Sequence, residues 1–321
     1  MVKADLITGF LGAGKTTFIR KYALRLASLG HRVCILENDY GAINVDMMLL
    51  SDLKSDRIGL EMVAGGCDYD CHRRRFKTKL ITMAMLGYDR VIIEPSGIFD
   101  VDEFFDLMHE DPLDSRYEIG NVITIVKAEG ERETSPETDY LLASQAAQAG
   151  TVVLSHVQEA DPAALPETIA HLNRALEGIG CRRRFSLEEN VLSKDWEHLT
   201  PEDFEAIERR GYTEAAFEKR FSMDDNGFTS LFYMDVDLTE GELKERIRKL
   251  FADPSAGVVR RVKGFLPRTD GSWAEFNATP EGTQVQDLKE GQRVIIVIGE
   301  HLRTEAIDPY FPSQYSTSHW R

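Results

Sequence analysis

Nine consecutive residues near the start of the chain, Gly9-Phe10-Leu11-Gly12-Ala13-Gly14-Lys15-Thr16-Thr17, restrict the fold more than any other feature. They follow a short apolar run at 3–8 and precede a stretch in which Phe18, Ile19, Tyr22, Leu26 and Leu29 recur at helical spacing. A Gly-x-x-x-x-Gly-Lys-Thr segment between strand and helix closes a loop whose backbone N–H groups converge on phosphate oxygens. The helix that follows adds its positive end. Gly9, Gly12, Ala13, Gly14, Lys15, Thr16 and Thr17 are therefore the expected nucleoside triphosphate ligands. Lys15 is expected on the β- and γ-phosphates and Thr16 on Mg²⁺.

Two further strand ends belong with that loop. The apolar run 32–36 leads into Glu37-Asn38-Asp39-Tyr40-Gly41, and the run 90–93 into Glu94-Pro95-Ser96-Gly97. Acids just beyond the carboxyl ends of parallel strands reach a bound nucleotide's metal. Asp39 and Glu94 are read as Mg²⁺-side acids, with Glu94 also oriented toward the attacking water. Gly97 is read as a γ-phosphate sensor through its N–H. Strands are expected at 121–126 and 151–154, with helices at 140–149 and 161–176. Their apolar runs lack clean alternation, as befits a parallel sheet with helices on both faces.

The second informative stretch is Gly65-Gly66-Cys67-Asp68-Tyr69-Asp70-Cys71-His72. Two thiols and an imidazole suit Zn²⁺, Co²⁺ or Ni²⁺, but a closed zinc site needs four ligands. Ordinary thiols or a redox pair remain alternatives. Cys67 and Cys71 are four apart and fit one face of a helical turn.

The 321 residues carry a formal net charge of -16, which opposes nucleic-acid binding. The two dense basic runs, Arg73 to Arg75 and Arg182 to Arg184, are read as solvated faces or partners for acids. No apolar run reaches membrane-spanning length. Four cysteines do not suggest a disulfide scaffold, and a cytoplasmic, reducing setting is expected. The division expected is 1–200 for the nucleotide domain, 201–225 for a linker, 226–308 for a small α+β domain and 309–321 for a tail. Within the small domain, strands are expected at 228–236, 258–266, 273–278 and 293–298, a helix at 240–251, and a hairpin turn at 269–272. The tail is read as a surface strap or frayed end.

These motifs together resemble the CobW-like P-loop GTPases, the group that includes HypB and UreG. Residues 9–17 are similar to that family's loop without a change. Asn38-Asp39-Tyr40-Gly41 resembles its Asn-Glu-Phe-Gly, and Glu94-Pro95-Ser96-Gly97 its Glu-x-x-Gly. Residues 143–150 resemble the helix before its base-reading strand, and 260–266, Trp273 and 294–299 its C-terminal domain. The resemblance implies a P-loop α/β fold plus a CobW-like α+β domain. It also implies a slow NTPase acting as a metallochaperone, a client metalloprotein, and a homodimer among its assemblies.

Two departures qualify what the resemblance implies. The family's Gly-Gly-Cys-x-Cys-Cys reads here with one thiol fewer, leaving Asp68, Asp70 or His72 as substitutes. The guanine-reading Asn-Lys-x-Asp reads Ser155-His156-Val157-Gln158, and a neutral amide replaces the charged bidentate acceptor. GTP is favoured, with ATP open and Asp161 an alternative base partner. Rival readings are a nucleotide-controlled regulator without metal, a small-molecule kinase with an Arg73–Arg75 lid, and an accessory to a corrinoid- or metal-dependent enzyme.

Overall fold

The β-strands of the N-terminal unit are apolar toward both faces, and the computed structural model shows why. It describes residues 1–39, 49–64, 69–97, 99, 101–130, 134–218, 228–288, 291, 293–312 and 315–317, with only the main chain described at 39, 64, 69, 70 and 315–317. Two compact units result, Met1–Met223 and Asp224–Arg321.

In the first unit, strands β1 (Val2–Gly9), β2 (Val33–Asp39), β3 (Ile58–Ala64), β4 (Arg90–Pro95), β5 (Tyr117–Lys127), β6 (Thr151–Ser155) and β7 (Val191–Leu192) form one sheet. Its order is β3-β2-β4-β1-β5-β6-β7. The described pairings are all parallel. Helices α1 (Lys15–Ser28), α2 (Tyr69–Met85), α3 (Val101–Met108), α4 (Leu113–Arg116), α5 (Pro136–Ala147), α6 (Ala164–Gly178) and α7 (Pro201–Arg210) cover it. One face packs Phe18, Ile19 and Tyr22 of α1 with Phe204 and Ile207 of α7. The other packs Phe76 and Leu80 of α2, Phe104 of α3, Ala143 of α5 and Leu172 of α6. β4 is buried along its whole length, as a strand covered on both faces must be. Each large apolar side chain so buried contributes about 1.5–3 kcal/mol.

Local signals set the helix starts. Ser135 accepts from Thr138 N at 3.0 Å, with Pro136 next, so α5 begins before the expected 140. Thr200 and Asp203 form a capping box at α7. That helix opens the 201–225 stretch and belongs to the first unit. Its Phe204 ring lies 6.4 Å from the rings of both Phe18 and Tyr22. A buried charge cluster braces the other end of the sheet. Asp5 takes two 2.8 Å hydrogen bonds from the Arg90 guanidinium and one of 2.8 Å from Asn121 N. Arg90 also donates to Tyr22 Oη at 2.8 Å.

The second unit holds β8 (Phe228–Met234), α8 (Glu240–Phe251), β9 (Val258–Pro267), β10 (Trp273–Thr279), β11 (Gly282–Leu288), β12 (Val294–Glu300), α9 (Thr304–Ile307) and β13 (Tyr315–Thr317). The strands pair antiparallel in the order β11-β10-β9-β12-β8-β13. Leu243, Ile247 and Leu250 of α8 join Val262, Phe276 and Val297 in its core. The expected turn lies between β9 and β10, where Arg268 N bonds Ser272 O at 2.7 Å and Gly271 has φ 86°. Strand β11 was not expected. It is exposed along most of its length, so its sequence lacks an apolar face. Within the tail, Tyr315–Thr317 pairs with β8. His319 and Trp320, like Tyr40, Gly41, Cys67 and Asp68, lie outside the described residues. Among the described residues, no helix is long and apolar enough to cross a membrane.

Candidate nucleotide site

The loop 9–17 sits where the topology concentrates strand ends. β1 is flanked by β4 and β5, so the loop emerges between Glu94 and Lys127. Gly14 caps α1 with φ 95° and ψ 21°, and neither a capping side chain nor an acid occupies the first turn. The helix therefore presents uncapped N–H groups and an unneutralised positive end, the arrangement that receives phosphate. A side chain at Gly14 would need a left-handed conformation and would meet the Trp196 ring at 3.2 Å.

Lys15 is buried, and its ammonium donates to Gly9 O at 3.0 Å across the loop. Thr16 Oγ1 donates to Glu94 Oε1 at 2.9 Å. The α1 hydroxyl and the β4 acid, 78 residues apart in sequence, are thus neighbours at one point. Glu37 joins them. It lies in register with Glu94 on the adjacent strand, so both carboxylates leave the sheet on the same face. Glu37 and Glu94 are 2% and 4% exposed. Two carboxylates and a hydroxyl make a hard oxygen donor set, which suits Mg²⁺. Thr16 and Glu94 are expected here from sequence, and Glu37 is not. The strand-end argument applied to Glu94 would have found it. Asp39 ends β2, and its side chain lies outside the description.

Gly97 touches the phosphate loop directly. A Cβ there would lie 2.7 Å from Leu11 Cδ2, 2.9 Å from Leu11 N and 3.1 Å from Leu11 Cα. Its carbonyl accepts from Gln145 Nε2 at 2.9 Å. Gln145 O in turn accepts from Thr124 Oγ1 at 2.8 Å and Thr8 Oγ1 at 3.3 Å. Helix α5 is thereby tied both to the strand entering the loop and to the 94–97 segment. Neither Gln145 nor Trp196 was singled out from sequence.

At the base-reading position, Ser155 ends β6 and is 1% exposed, with Oγ lacking a hydrogen-bond partner among the described residues. His156 follows with φ 56°, a left-handed conformation uncommon outside glycine and concentrated at functional sites. Its Nδ1 lies 3.2 Å from Glu159 Oε2, and Gln158 Nε2 donates to Glu159 Oε1 at 3.3 Å. Asp161 accepts from Ala163 N at 2.9 Å, so one of its oxygens serves its own turn. Trp196 completes this wall. Its indole N–H donates to Leu154 O at 2.9 Å, and its ring meets Phe18 edge-on at 5.6 Å.

On the opposite face, α2 brings Cys71 and His72 beside β2. Cys71 is half-buried, and His72 is fully buried with Nε2 2.8 Å from Asn38 Oδ1. Asn38 O accepts from Ser96 N at 3.0 Å. One residue therefore joins the cysteine helix to the segment between Glu94 and Gly97. Among the described residues, no group of three or more His, Cys, Asp or Glu side chains is placed to hold a metal ion, and Cys67 falls outside them. Arg73 and Lys77 bond the two oxygens of Glu110, which places part of the first basic run on an intramolecular acid.

Comparison with known proteins follows the same lines. The sequence model described as CobW/HypB/UreG, nucleotide-binding domain, matches residues 3–181. The zinc chaperone YjiA of Escherichia coli (strain K12) is 28% identical over 183 residues, 54% of this chain and 55% of that protein. The zinc chaperone YeiR of the same organism is 34% identical over 109 residues, 34% of this chain and 32% of that protein. The chain thus spans about half the length of the first relative and a third of the second. Among solved structures, Zn(II)-bound YjiA GTPase from E. coli aligns at a TM-score of 0.39 and 18% identity, covering 96% of this chain and 97% of that one. The hydrogenase maturation factor HypB from Archaeoglobus fulgidus aligns at 0.39 and 15%, covering 64% and 85%.

Proposed function

Since the chain belongs to the CobW/HypB/UreG nucleotide-binding family, we propose that it is a metallochaperone NTPase. It hydrolyses the β–γ phosphoanhydride of GTP by preference, with ATP the alternative, and couples that step to handover of a transition metal to a client metalloprotein. Zinc is the favoured cargo, because both curated relatives are described as zinc chaperones; Co²⁺ and Ni²⁺ suit the same thiol and imidazole chemistry.

The observation that carries this reading is the double engagement of Asn38, with His72 on one side and Ser96 on the other. Thr16, Glu94 and Glu37 would hold Mg²⁺, together with Asp39. Held by those residues, Mg²⁺ would supply charge neutralisation for the β- and γ-phosphate oxygens. The N–H groups of 12–17 bind the phosphates, and Lys15 exchanges its Gly9 carbonyl for them. Glu94 orients the attacking water, and the Gly97 N–H faces the γ-phosphate. Loss of that phosphate releases 94–97 and 37–39, as in other phosphate-sensing switches. Asn38 carries the displacement to His72, and so to the thiol one residue before it.

Linkage supplies the test. If GTP and zinc are coupled through Asn38, each changes the other's affinity by the same factor, with about fivefold the smallest effect expected. Zinc affinity is measured by chelator competition with and without a non-hydrolysable GTP analogue, and nucleotide affinity from Trp196 fluorescence with and without zinc. A Cys67→Ser, Cys71→Ser variant should lose zinc binding and the coupling but keep nucleotide binding. Equal zinc affinity in wild type and variant sinks the metal reading. A second reading, a nucleotide-controlled regulator, is favoured by the missing third thiol and would then stand. Running ATP beside GTP tests the Ser155 to Gln158 substitution in the same experiment.

A further inference from the structure

Strand β11 is an edge of the antiparallel sheet in the second unit, and its sequence does not protect that edge. Residues 282–286 read Gly-Thr-Gln-Val-Gln, with no proline and no charge, where edges are ordinarily guarded by lysine, proline or a bulge. The strand pairs with β10 residue for residue, without a register shift. Thr283, Gln284, Gln286 and Asp287 are exposed.

Hydrogen-bond alternation fixes which residues offer their main chain. Arg268 N donates to Ser272 O at 2.7 Å, a pair that continues the β9–β10 register. Even-numbered residues of β10 therefore turn their N–H and C=O groups to β9, and Trp273, Glu275, Asn277 and Thr279 turn theirs to β11. The partners of those four are Leu288, Gln286, Gln284 and Gly282. Thr283, Val285 and Asp287 are left pointing outward, and among the described residues none of them has a main-chain partner on that side.

The outward residues suit one occupant, a second copy of the same strand. Thr283-Gln284-Val285-Gln286-Asp287 is nearly palindromic about Val285. Two copies related by a twofold axis at Val285 pair antiparallel, the isologous arrangement of a symmetric dimer. Val285 then exchanges hydrogen bonds with the partner's Val285, and Thr283 with the partner's Asp287, so every outward group is used. Gln284 faces the partner's Gln286, and side-chain amides so placed bond each other as in glutamine ladders. A register centred on Gln284 or Gln286 leaves an outward residue unpaired on each strand, and the second also brings the two Asp287 carboxylates together. Asp287 is held by Arg268 at 2.7 Å while its side chain is 80% exposed, so its charge stands at the edge. Val285 packs against the core of the second unit, so the valine pair joins two cores across the axis. The second unit, Asp224–Arg321, holds 16 acids and 12 Lys or Arg. Most of the chain's net charge of -16 therefore belongs to the first unit and opposes this contact less.

We propose that β11 pairs with β11 of a second copy about Val285, making a homodimer with one continuous sheet. So short a contact is a small interface, and the dimer exchanges with monomer as concentration changes. The proposal depends on neither the nucleotide nor the metal reading.

Sedimentation equilibrium of the full chain, from about 10 μM to about 1 mM, should show the wild type passing from monomer toward dimer. Thr283→Asp sets a carboxylate against the partner's Asp287 on both sides of the axis and should weaken association about fivefold. Thr283→Lys sets an ammonium there and should strengthen it about fivefold, a gain that fades as salt rises. Thr283→Pro keeps every hydrogen bond within the sheet, because the 283 N–H points outward, and should lose association while its far-UV circular dichroism stays that of the wild type. If the proline chain does not fold, the opposite shifts of the Asp and Lys variants decide. The proposal is overturned if the wild type stays monomeric throughout, if a folded Thr283→Pro chain associates as the wild type does, or if Asp and Lys move association in the same direction or not at all. A monomeric wild type that instead binds an uncharged peptide of alternating threonine and valine would give the edge to a foreign strand, and also overturns self-pairing.

Discussion

Replacing Arg90 with Met removes the cation from a carboxylate that has nowhere else to go. Asp5 is fully buried, and its Oδ1 is packed against the Gly120 backbone. Of its contacts, the two 2.8 Å bonds to Arg90 are lost. Those to Asn121 N at 2.8 Å and to Tyr22 Oη at 3.4 Å remain. Tyr22 Oη also loses its Arg90 donor. Breaking a buried pair from one side costs about 3–5 kcal/mol, and the surviving Asn121 bond places Arg90→Met near the lower figure. For a unit of this size that corresponds to a fall in Tm of about 6–12 °C. Burial already holds the Asp5 carboxyl above its ordinary range, offset by Arg90, and removing Arg90 raises it further. A raised folded-state pKa means stability present at low pH and lost as pH rises through that value. The Arg90→Met deficit should therefore be smaller at pH 5 than at pH 8. Urea unfolding followed through Trp196, in a Trp273→Phe, Trp320→Phe background, reports the first unit alone. Asp5→Leu combined with Arg90→Met should cost less than the sum of the single changes by about 2 kcal/mol. Additive single costs, or an Arg90→Met cost below about 1 kcal/mol, would refute the pairing argument.

Two other outcomes follow from geometry already given. Gly97→Ala drives a methyl into the Leu11 main chain, and overpacking of that kind costs about 1–3 kcal/mol. Nucleotide affinity should fall by about tenfold, and Leu11→Ala should not restore it, because the clash at Leu11 N remains. Burial pushes the Cys34 thiol up to about 12 from 9.0, so at pH 8 Ellman's reagent should label Cys71 in the native chain and reach Cys34 only on unfolding. Stability should then decline between pH 9 and 12 as the unfolded thiol ionises first, and Cys34→Ala should remove that part of the decline.

The phosphate loop was legible in sequence because its chemistry tolerates few residue types at fixed spacing. Thr16 and Glu94 lie within hydrogen-bond distance, and each ends or begins an element whose apolar run is plain in sequence. Helix α2 was not anticipated. Its Phe76, Leu80 and Met83 are buried at helical spacing, yet the cations between them hide the stripe, and the cysteines invite a loop reading instead. β3 was not anticipated either, because its short run leads straight into the Gly65-Gly66 stretch. Its neighbours in sequence make His72 a candidate metal ligand. Its burial against Asn38 depends on β2 lying beside β3 and β4, an ordering that no local pattern encodes. Trp196 belongs to no motif, and only the path of the chain after β7 brings it to Gly14.

Asn38 has a consequence for how this chain tolerates change. Its amide side chain serves His72 on the α2 face and its main-chain carbonyl serves Ser96 beyond the adjacent strand, so a side-chain change can alter the first contact and leave the second. Asn38→Asp preserves an oxygen for His72, whereas Asn38→Leu deletes it and leaves the carbonyl to Ser96 intact. A selection that asks only for nucleotide turnover would then retain variants such as Asn38→Leu, and a selection that asks for cargo transfer would discard them. Comparing the survivors of two such screens would show, at a single codon, which duty has kept this residue in place.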